Sequence, residues 1–332
     1  MATREGRVTA KDVARAAGVS QSTVSYVLNN NANQTISEAT RNRVLAAVED
    51  LGYAPSAAAR ALRKGTSSTV MIVLPDAPVG AAIAALIEEV ADDLEPHGYS
   101  VVFRRHRDPA MLERAWREIM PAAVANLAAF GPEPEAAMAA AGIPVIKGLL
   151  DEAGPWVITV PEVGIGRLQA AHLLERGHRR LGYAAPVEGR VAGFYDRRLA
   201  GVREVLAAAR LPEPVVITLP LDATGAAAAI APWVGDRSDG RVTGICAYND
   251  EQAFALLAGM RILGLTAPDD LAVIGVDDVP LAPFASPPLT SVNIDVPAIA
   301  VAMSQALLAA LRGDTAPVVA AVAARLVRRQ ST

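Results

Sequence analysis

Short polar side chains dominate residues 20–30, in the stretch SQSTVSYVLNN. Gln21 and Ser22 stand near its start, and Tyr26 follows about one helical turn later. A glutamine amide can pair with an adenine edge through two hydrogen bonds, and a serine hydroxyl can bond to several bases. Recognition of base edges is therefore the chemistry that these side chains could perform.

Two short helices must position these side chains. Apolar residues recur at helical spacing after Ser20, which predicts a helix with the polar side chains on its outer face. Before it, Thr9 predicts a helix start with Asp12 in the first turn, and Gly18 is suited to end that helix. The intervening turn has the length found in a helix-turn-helix, whose second helix can enter the major groove of DNA. An ordinary solvated pair of helices has the same periodicity and is the alternative.

A third helix is predicted after Ser37. The residues expected to bury one side of it are Val44, Leu45, Val48 and Leu51. Arg41 and Arg43 are then exposed and are candidates for contacts to DNA phosphates. Simple solvation of both arginines is the alternative.

A short alanine-rich helix is predicted to start at Pro55 and to end before Gly65. Leu62 is its only large apolar residue. A helix of this length is marginal alone in water, so it needs a partner, either its own copy in a dimer or DNA.

Charge is distributed unevenly along the chain. The net charge is −4, yet residues 1–66 hold nine Lys and Arg against five Asp and Glu, a net of +4, which leaves −8 for the remainder. A basic head on an acidic body indicates a nucleic-acid partner. Cys246 is the only cysteine, so no intrachain disulfide can form. The sequence has neither an apolar signal segment nor an apolar run of membrane-spanning length, so a cytoplasmic location is expected.

Beyond residue 68, short apolar runs alternate with helical stretches. The runs include TVMIVLP, YSVVF, RLGYAA, VTGICAY and LAVIGV, and the helical stretches fall near 80–95, 162–176, 198–209 and 250–263. This alternation predicts parallel sheets covered by helices, and the number of elements indicates two doubly wound lobes. Ligands of such folds bind beyond the carboxyl ends of the strands, which directs attention to the residues that follow them.

The first 65 residues resemble a known family. VTAKDVARAAGVSQSTVSYVLNN, the helix after Ser37 and YAPSAAARALRKG are closely similar to the headpiece of the lactose-repressor (LacI/GalR) family. The resemblance implies that three residues read bases: Gln21, Ser22 and Tyr26. It implies contacts to the DNA backbone from Thr9, Ser20, Ser25, Asn29 and Arg41. It also implies that Leu62 is a wedge in the minor groove at the operator centre, where it kinks the DNA.

This headpiece departs from the family in two places. Many members carry arginine where this chain has Tyr26, so a contact to guanine is missing. The loop NNNANQT is longer than usual.

The rest of the chain is similar to the effector core of the same family. GRLQAAHLLERGHRRLGY at 166–183, YNDEQAFALL and VIGVDD carry this resemblance, which implies the fold of periplasmic sugar-binding proteins. It implies that Arg198, Asn249 and Asp277 line an effector cleft, with Asp76 as the ionisable group of the first lobe. Without the resemblance, Asn249 is interpreted as a helix cap and Arg198 as a surface residue. No aromatic residue stands near 220–222, where members stack one on the ligand.

We therefore expect an N-terminal all-α helix-turn-helix headpiece with a hinge helix, followed by an α/β core of two doubly wound parallel-sheet lobes. The expected bounds are 1–54 for the headpiece, 55–67 for the hinge and linker, and 68–332 for the core. Within the core, the first lobe is expected at 68–160 and 291–316, and the second at 161–290 and 317–332. The expected protein is a homodimeric, sequence-specific DNA-binding repressor of transcription with a near-palindromic operator. A small effector (a sugar, a sugar derivative, a nucleoside or a purine) is expected to control its affinity.

Other functions are less consistent with the sequence. An altered or lost effector pocket, with regulation that needs no ligand, is the alternative for the core. A solute-binding protein for uptake would lack the basic headpiece, and no catalytic constellation supports an enzyme. Neither a cofactor nor a metal is expected, because the histidines share no metal-ligand spacing. These are His97, His106, His172 and His178.

Overall fold

A computed structural model describes residues 8–28, 36–53, 67–76, 78–150, 154–187, 192–234, 241–315 and 322–332. The chain divides into two compact units, Met1–Ser68 and Thr69–Thr332. Asn29, Leu62 and the predicted hinge helix lie outside the described residues. Within the described residues, no helix is both long enough and apolar enough to cross a membrane.

Three described helices form the headpiece: α1 (Ala10–Ala17), α2 (Gln21–Leu28) and α3 (Glu38–Asp50). At the start of α1, the backbone N–H and the hydroxyl of Thr9 both donate to Asp12 Oδ2, at 3.0 and 2.6 Å. α1 ends at Gly18, whose φ of 65° is a left-handed conformation that glycine adopts without steric penalty. The predicted helix-turn-helix is therefore present, with α2 beginning directly after Ser20.

These helices bury a small apolar core between them. Its buried members are Val13, Ala14, Ala17, Val24, Val27, Val44 and Ala47. Two predictions for α3 are wrong, because Leu45 is 46% exposed and Leu51 is 37% exposed. Leu45 lies about 100° around the helix from the buried Val44 and so faces away from the core. Leu51 is the C-cap residue and follows the last helical position.

The first lobe of the core is a parallel sheet of order β2-β1-β3-β4-β5. Its strands are β1 (Thr69–Pro75), β2 (Ser100–His106), β3 (Ala123–Asn126), β4 (Val145–Leu150) and β5 (Val157–Thr159). The interior strand β1 carries VMIVL at 70–74, all buried, because helices cover both faces of the sheet. The helices are α4 (Ala81–Leu94) and α11 (Val296–Arg312) on one face, and α5 (Pro109–Ile119) and α6 (Pro132–Ala140) on the other.

The second lobe is a sheet of order β11-β10-β9-β8-β6-β7, parallel except for the antiparallel pair of β10 and β11. Its strands are β6 (Leu181–Pro186), β7 (Val215–Leu219), β8 (Gly244–Ala247), β9 (Ala272–Val276), β10 (Thr290–Asn293) and β11 (Arg325–Val327). Its helices are α7 (Glu162–Glu175), α8 (Ala192–Ala208), α9 (Ala223–Val234) and α10 (Asp250–Ile262). α8 begins at residue 192, earlier than the predicted start at 198.

The two predicted parallel-sheet lobes are confirmed, but one predicted boundary between them shifts. Ser291 and Val292 pair with Gly275 and Val276 of β9, so these residues belong to the second sheet. The first lobe was predicted to resume at 291, whereas the chain crosses over only after Asn293. α11, which follows, packs in the apolar core of the first lobe.

Candidate functional site

The N-terminal end of α2 presents uncharged polar side chains. Gln21 and Ser22 are exposed in its first turn, and Tyr26 is half-buried one turn later. Val24 and Val27 hold the opposite face of the helix in the headpiece core. This arrangement leaves the side chains predicted to read bases on the outer face of the second helix.

Two of the residues predicted to contact the DNA backbone, Thr9 and Ser20, lie at helix starts. Ser20 Oγ accepts from the backbone N–H of Thr23 at 3.1 Å and so caps α2, as Thr9 starts α1. Helix N-termini carry a partial positive charge that favours phosphate. Ser25 and Arg41 are half-buried.

A cavity of about 150 Å³ lies between the two lobes of the core. The first lobe contributes the end of β1 and the start of α4, and the second contributes α7, α8, α10 and the residues after β8 and β9. Most of its lining is apolar, and its charged or amide side chains are Glu162, Arg198, Asn249, Glu251, Gln252 and Asp277. The cavity therefore lies at the carboxyl ends of strands, where ligands of such folds bind.

Arg198 is buried in this cavity wall and is paired with Glu162. Its Nε donates to Glu162 Oε2 at 2.5 Å, and its Nη1 donates to the backbone carbonyl of Tyr248 at 2.7 Å. The guanidinium also lies over the Tyr248 ring, 4.9 Å from the centroid. Desolvation lowers the pKa of Arg198, but the neighbouring groups that raise it, of which Glu162 is the strongest, together outweigh desolvation, so the net shift is upward and Arg198 stays charged.

Two glycines allow the helices that carry this pair to pack closely. A Cβ at Gly166 of α7 would overlap the carbonyl oxygen of Arg198, and a Cβ at Gly201 of α8 would overlap the carbonyl oxygen of Val163. Any larger residue would push α7 and α8 apart. The close approach of these helices therefore sets the position of Arg198 relative to Glu162.

Asn249 both caps a helix and lines the cavity. Its Oδ1 accepts from the backbone N–H of Gln252 at 3.0 Å at the start of α10, and its Nδ2 donates to Glu251 Oε2 at 3.4 Å. Glu251 reaches across to the first lobe, where its Oε1 accepts from the backbone N–H of Ala81 at 3.4 Å. One polar chain thus links α10 of the second lobe to the start of α4 in the first.

Asp277 lies at a strained corner after β9. Its φ is 101° and that of Asp278 is 54°, both in a region that residues other than glycine rarely adopt. Such conformations cost free energy and often occur at functional sites. Desolvation raises the pKa of Asp277 to about 8, against a smaller opposing effect of Arg198. The carboxyl group is therefore largely protonated at neutral pH and can donate as well as accept.

The structure brings Arg198, Asn249 and Asp277 together, but not Asp76. Asp76 follows β1 and pairs with Arg107 Nε at 3.1 Å, and it is not among the described residues that line the cavity. The first-lobe wall is apolar instead.

Sequence reasoning missed several side chains of the cavity. It gave no role to Glu162 or to Glu251. Leu221 lines the cavity in the segment 220–222, where the sequence has no aromatic residue. Aromatic surface comes instead from Phe194 of α8 and from Tyr248, which follows β8. The one available signal for Tyr248 and Glu251 was that both lie within two residues of Asn249.

Comparison with known proteins matches both parts of the chain. Residues 9–56 match the model of bacterial regulatory proteins of the lacI family, and residues 170–332 match a periplasmic binding protein-like domain. The HTH-type transcriptional regulator CelR of Thermobifida fusca is 30% identical over 344 residues, covering 99% of each chain. This chain belongs to the lacI family of bacterial regulatory proteins. The regulator GalR of Escherichia coli is also 30% identical, over 97% of this lacI-family chain and 95% of GalR.

Solved structures show the same architecture as this lacI-family chain. A transcriptional regulator CelR–cellobiose complex has a TM-score of 0.67 and 28% identity, covering 98% of this chain and 100% of the other. A lac repressor dimer bound to operator and an anti-inducer has a TM-score of 0.79 at 22% identity, over 98% and 99% of the two chains. The predicted family and fold are confirmed. As a member of the lacI family, the chain is a DNA-binding transcriptional regulator and not an enzyme.

Asp277→Asn is expected to stabilise this lacI-family core most at alkaline pH. The pKa of Asp277 is raised to about 8 in the folded core from an ordinary value of 3.8, so between these values the folded chain keeps a proton that the unfolded chain releases. The contribution of this carboxyl to the free energy of unfolding is therefore fully present below its ordinary pKa of 3.8 and is lost as the pH rises through about 8. Asparagine has a similar shape and no charge, so the variant loses this pH dependence.

Melting temperatures of both proteins at about pH 5.5 and about pH 8.5, without effector, test this expectation. The gain of the variant should be larger at the higher pH, while Asp314→Asn, at an exposed position, should shift both temperatures little. An equal gain at the two pH values would contradict the raised pKa.

Proposed function

We propose that this lacI-family chain is a homodimeric repressor whose affinity for a near-palindromic operator is controlled by a small effector in the cavity between its lobes. The observation that carries the proposal is the convergence of Arg198, Asn249 and Asp277 on one cavity lined by both lobes. The convergence of polar groups in an apolar cleft is typical of ligand sites. A regulator of transcription acts where the chromosome lies, so we assign the chain to the cytoplasm.

The headpiece reads DNA through the N-terminal part of α2. Gln21 and Ser22 stand in its first turn, where side chains of such helices reach base edges in the major groove, and Tyr26 lies one turn further. The DNA phosphates are contacted at the two helix starts that Thr9 and Ser20 cap. The other residues assigned to the DNA backbone are Ser25, Asn29 and Arg41. The net charge of +4 on residues 1–66 supplies the attraction to phosphate that does not depend on sequence. Leu62 is the wedge at the operator centre.

The second lobe offers a surface for dimer formation. Phe284 is 82% exposed, Leu281 is 65% exposed, and both border a shallow groove with Phe254. Clustered exposed apolar side chains are uncommon on monomeric proteins and mark interaction surfaces. A two-fold axis through this patch would pair it with itself, which is the commonest arrangement of soluble dimers.

Effector binding changes the relation between the two lobes. Residues of both lobes line the cavity, so a ligand there has a different binding free energy for each relative position of the lobes. This difference is the coupling free energy between effector and operator, and it acts in both directions. CelR was solved with cellobiose, which supports a sugar-like ligand for this cavity.

Regulation without a ligand is the second candidate. The cavity volume of about 150 Å³ is below the roughly 300–1,000 Å³ of typical ligand pockets. Glu162 is also paired with the guanidinium group of Arg198, the residue that the family resemblance assigned to effector binding.

Gln21→Ala tests the DNA-reading role. We expect the variant to lose discrimination of about 1–3 kcal/mol at one position of each half-site, because alanine cannot pair with an adenine edge. Selection of preferred sites from a randomised DNA library, by the full-length wild type and variant, measures this loss. Asn42→Ala, exposed on α3, is the control and should leave the preferred site unchanged. If Gln21→Ala retains the wild-type preference at every position, Gln21 does not read bases.

A further inference from the structure

Carboxyl groups outnumber basic groups in the cavity between the lobes. Among the described residues that line it, Glu162, Glu251 and Asp277 are acidic and Arg198 alone is basic. The rest of the lining is apolar except for Asn249 and Gln252. A ligand that enters this cavity therefore meets carboxyl oxygens and hydrocarbon.

The charge of Arg198 is already compensated before any ligand arrives. The side chains of Arg198 and Glu162 are only 7% and 3% exposed, and two nitrogens of Arg198 face the two oxygens of Glu162, at 2.5 and 3.5 Å. A third nitrogen donates to the backbone carbonyl of Tyr248. An anionic ligand would thus gain little from Arg198. It would also be repelled by Glu251, in surroundings of low dielectric constant where such repulsion is strong.

Glu251 retains capacity to accept hydrogen bonds. Its two contacts, from the backbone N–H of Ala81 and from Asn249 Nδ2, are both long at 3.4 Å. A carboxylate has about four acceptor positions, so at least two remain for a ligand. No basic side chain is paired with Glu251 by an ion pair among the described contacts, whereas Glu162 has Arg198. Glu251 is therefore the carboxylate of the cavity most suited to a cationic group.

We propose that the effector is a small hydroxylated amine, such as an amino sugar, whose ammonium group contacts Glu251. Its hydroxyl groups bond to Asn249 and Asp277, and its carbon skeleton packs on the apolar wall. The cavity volume of about 150 Å³ favours a small ligand over a large one. Phosphorylated or carboxylated sugars are excluded by charge. This inference rests on the proposed function, because it assigns the ligand class of the same cavity.

The test is a binding titration of the full-length protein with related sugars of different charge. The probes are glucosamine, N-acetylglucosamine, glucose and glucose 6-phosphate, and the same set built on galactose. We expect one of the two amines to bind at least tenfold more tightly than its uncharged counterparts, with an affinity that falls as salt is added. The phosphates should show no binding. The inference is overturned if neither amine binds, if an uncharged sugar binds as tightly as its amine, or if a phosphate binds most tightly.

Glu251→Gln separates the charge from the shape of the site. The half-buried position should tolerate glutamine, and the preference for the amine over the uncharged sugar should fall about tenfold. Glu175→Gln, at an exposed surface pair with Arg328, is the matched control and should keep the full preference. An unchanged preference in Glu251→Gln would remove Glu251 from the proposal.

Operator binding by the same preparation distinguishes the two proposals. Specific DNA binding without any response to the amines would overturn only the ligand class. Tight amine binding by a protein with no sequence preference on DNA would overturn the proposed function and leave the ligand class standing.

Discussion

Glu162→Gln is expected to lower the free energy of unfolding of the core by about 3–5 kcal/mol, the usual cost of leaving a buried charge without its partner. Arg198 would keep its charge, since arginine does not lose its proton in proteins. The side chain is almost fully enclosed, so water cannot replace the missing carboxylate. Chemical denaturation of wild type and variant, followed by circular dichroism, measures the loss.

Two further variants decide whether the buried charge is the cause. Glu162→Gln combined with Arg198→Met removes both charges and should recover most of the lost stability, because a buried ion pair is often replaceable by apolar side chains. Glu113→Gln breaks the exposed pair with Arg117 and should cost less than about 1 kcal/mol. If the double variant is no more stable than Glu162→Gln alone, lost packing and not an unpaired charge explains the effect.

Gly201→Ala is expected to destabilise the second lobe by about 3 kcal/mol, at the upper end of the range for overpacking. The added methyl group would overlap a backbone carbonyl oxygen, that of Val163, and backbone cannot move aside as a flexible side chain can. α7 and α8 must then separate, which moves Arg198 away from Glu162. We therefore expect effector binding to be lost together with stability.

Gly131→Ala provides the comparison, because a Cβ at Gly131 would meet no atom within 4 Å and the residue has no positive φ. Gly131 is the N-cap of α6, so that variant should lose less than about 1 kcal/mol of stability and retain effector binding. Wild-type stability in Gly201→Ala would show that the two helices tolerate a wider separation than the structure has.

Local chemistry was sufficient to predict the headpiece helices. The interaction of Thr9 with Asp12 and the left-handed Gly18 act within one turn of the helix ends that they define. The burial of α3 was less predictable, because Leu45 and Val44 are adjacent in sequence and only packing decides which one faces inward. The alternation of apolar runs with helical stretches was likewise sufficient to predict the two parallel sheets, because strands and helices differ in the spacing of their apolar residues.

The cavity was predictable only in part. Asn249 and Asp277 follow strands, so the fold places them at the edge of the sheet that borders the cavity. The pairing of Glu162 with Arg198 joins residues 36 positions apart and depends on glycines that let two helices approach. Nothing in the local sequence around either residue reveals such a contact. For Asn249 the sequence offered a cap or a cavity residue as alternatives, whereas one side chain does both.

The contact between Glu251 and the backbone N–H of Ala81 makes the start of a helix in one lobe depend on a carboxylate of the other. Separation of the lobes would break this hydrogen bond and leave that amide to water. A ligand ammonium that draws the carboxylate toward itself would therefore compete with α4 for the same oxygens. Occupancy of the cavity and the spacing of the lobes would then be thermodynamically linked.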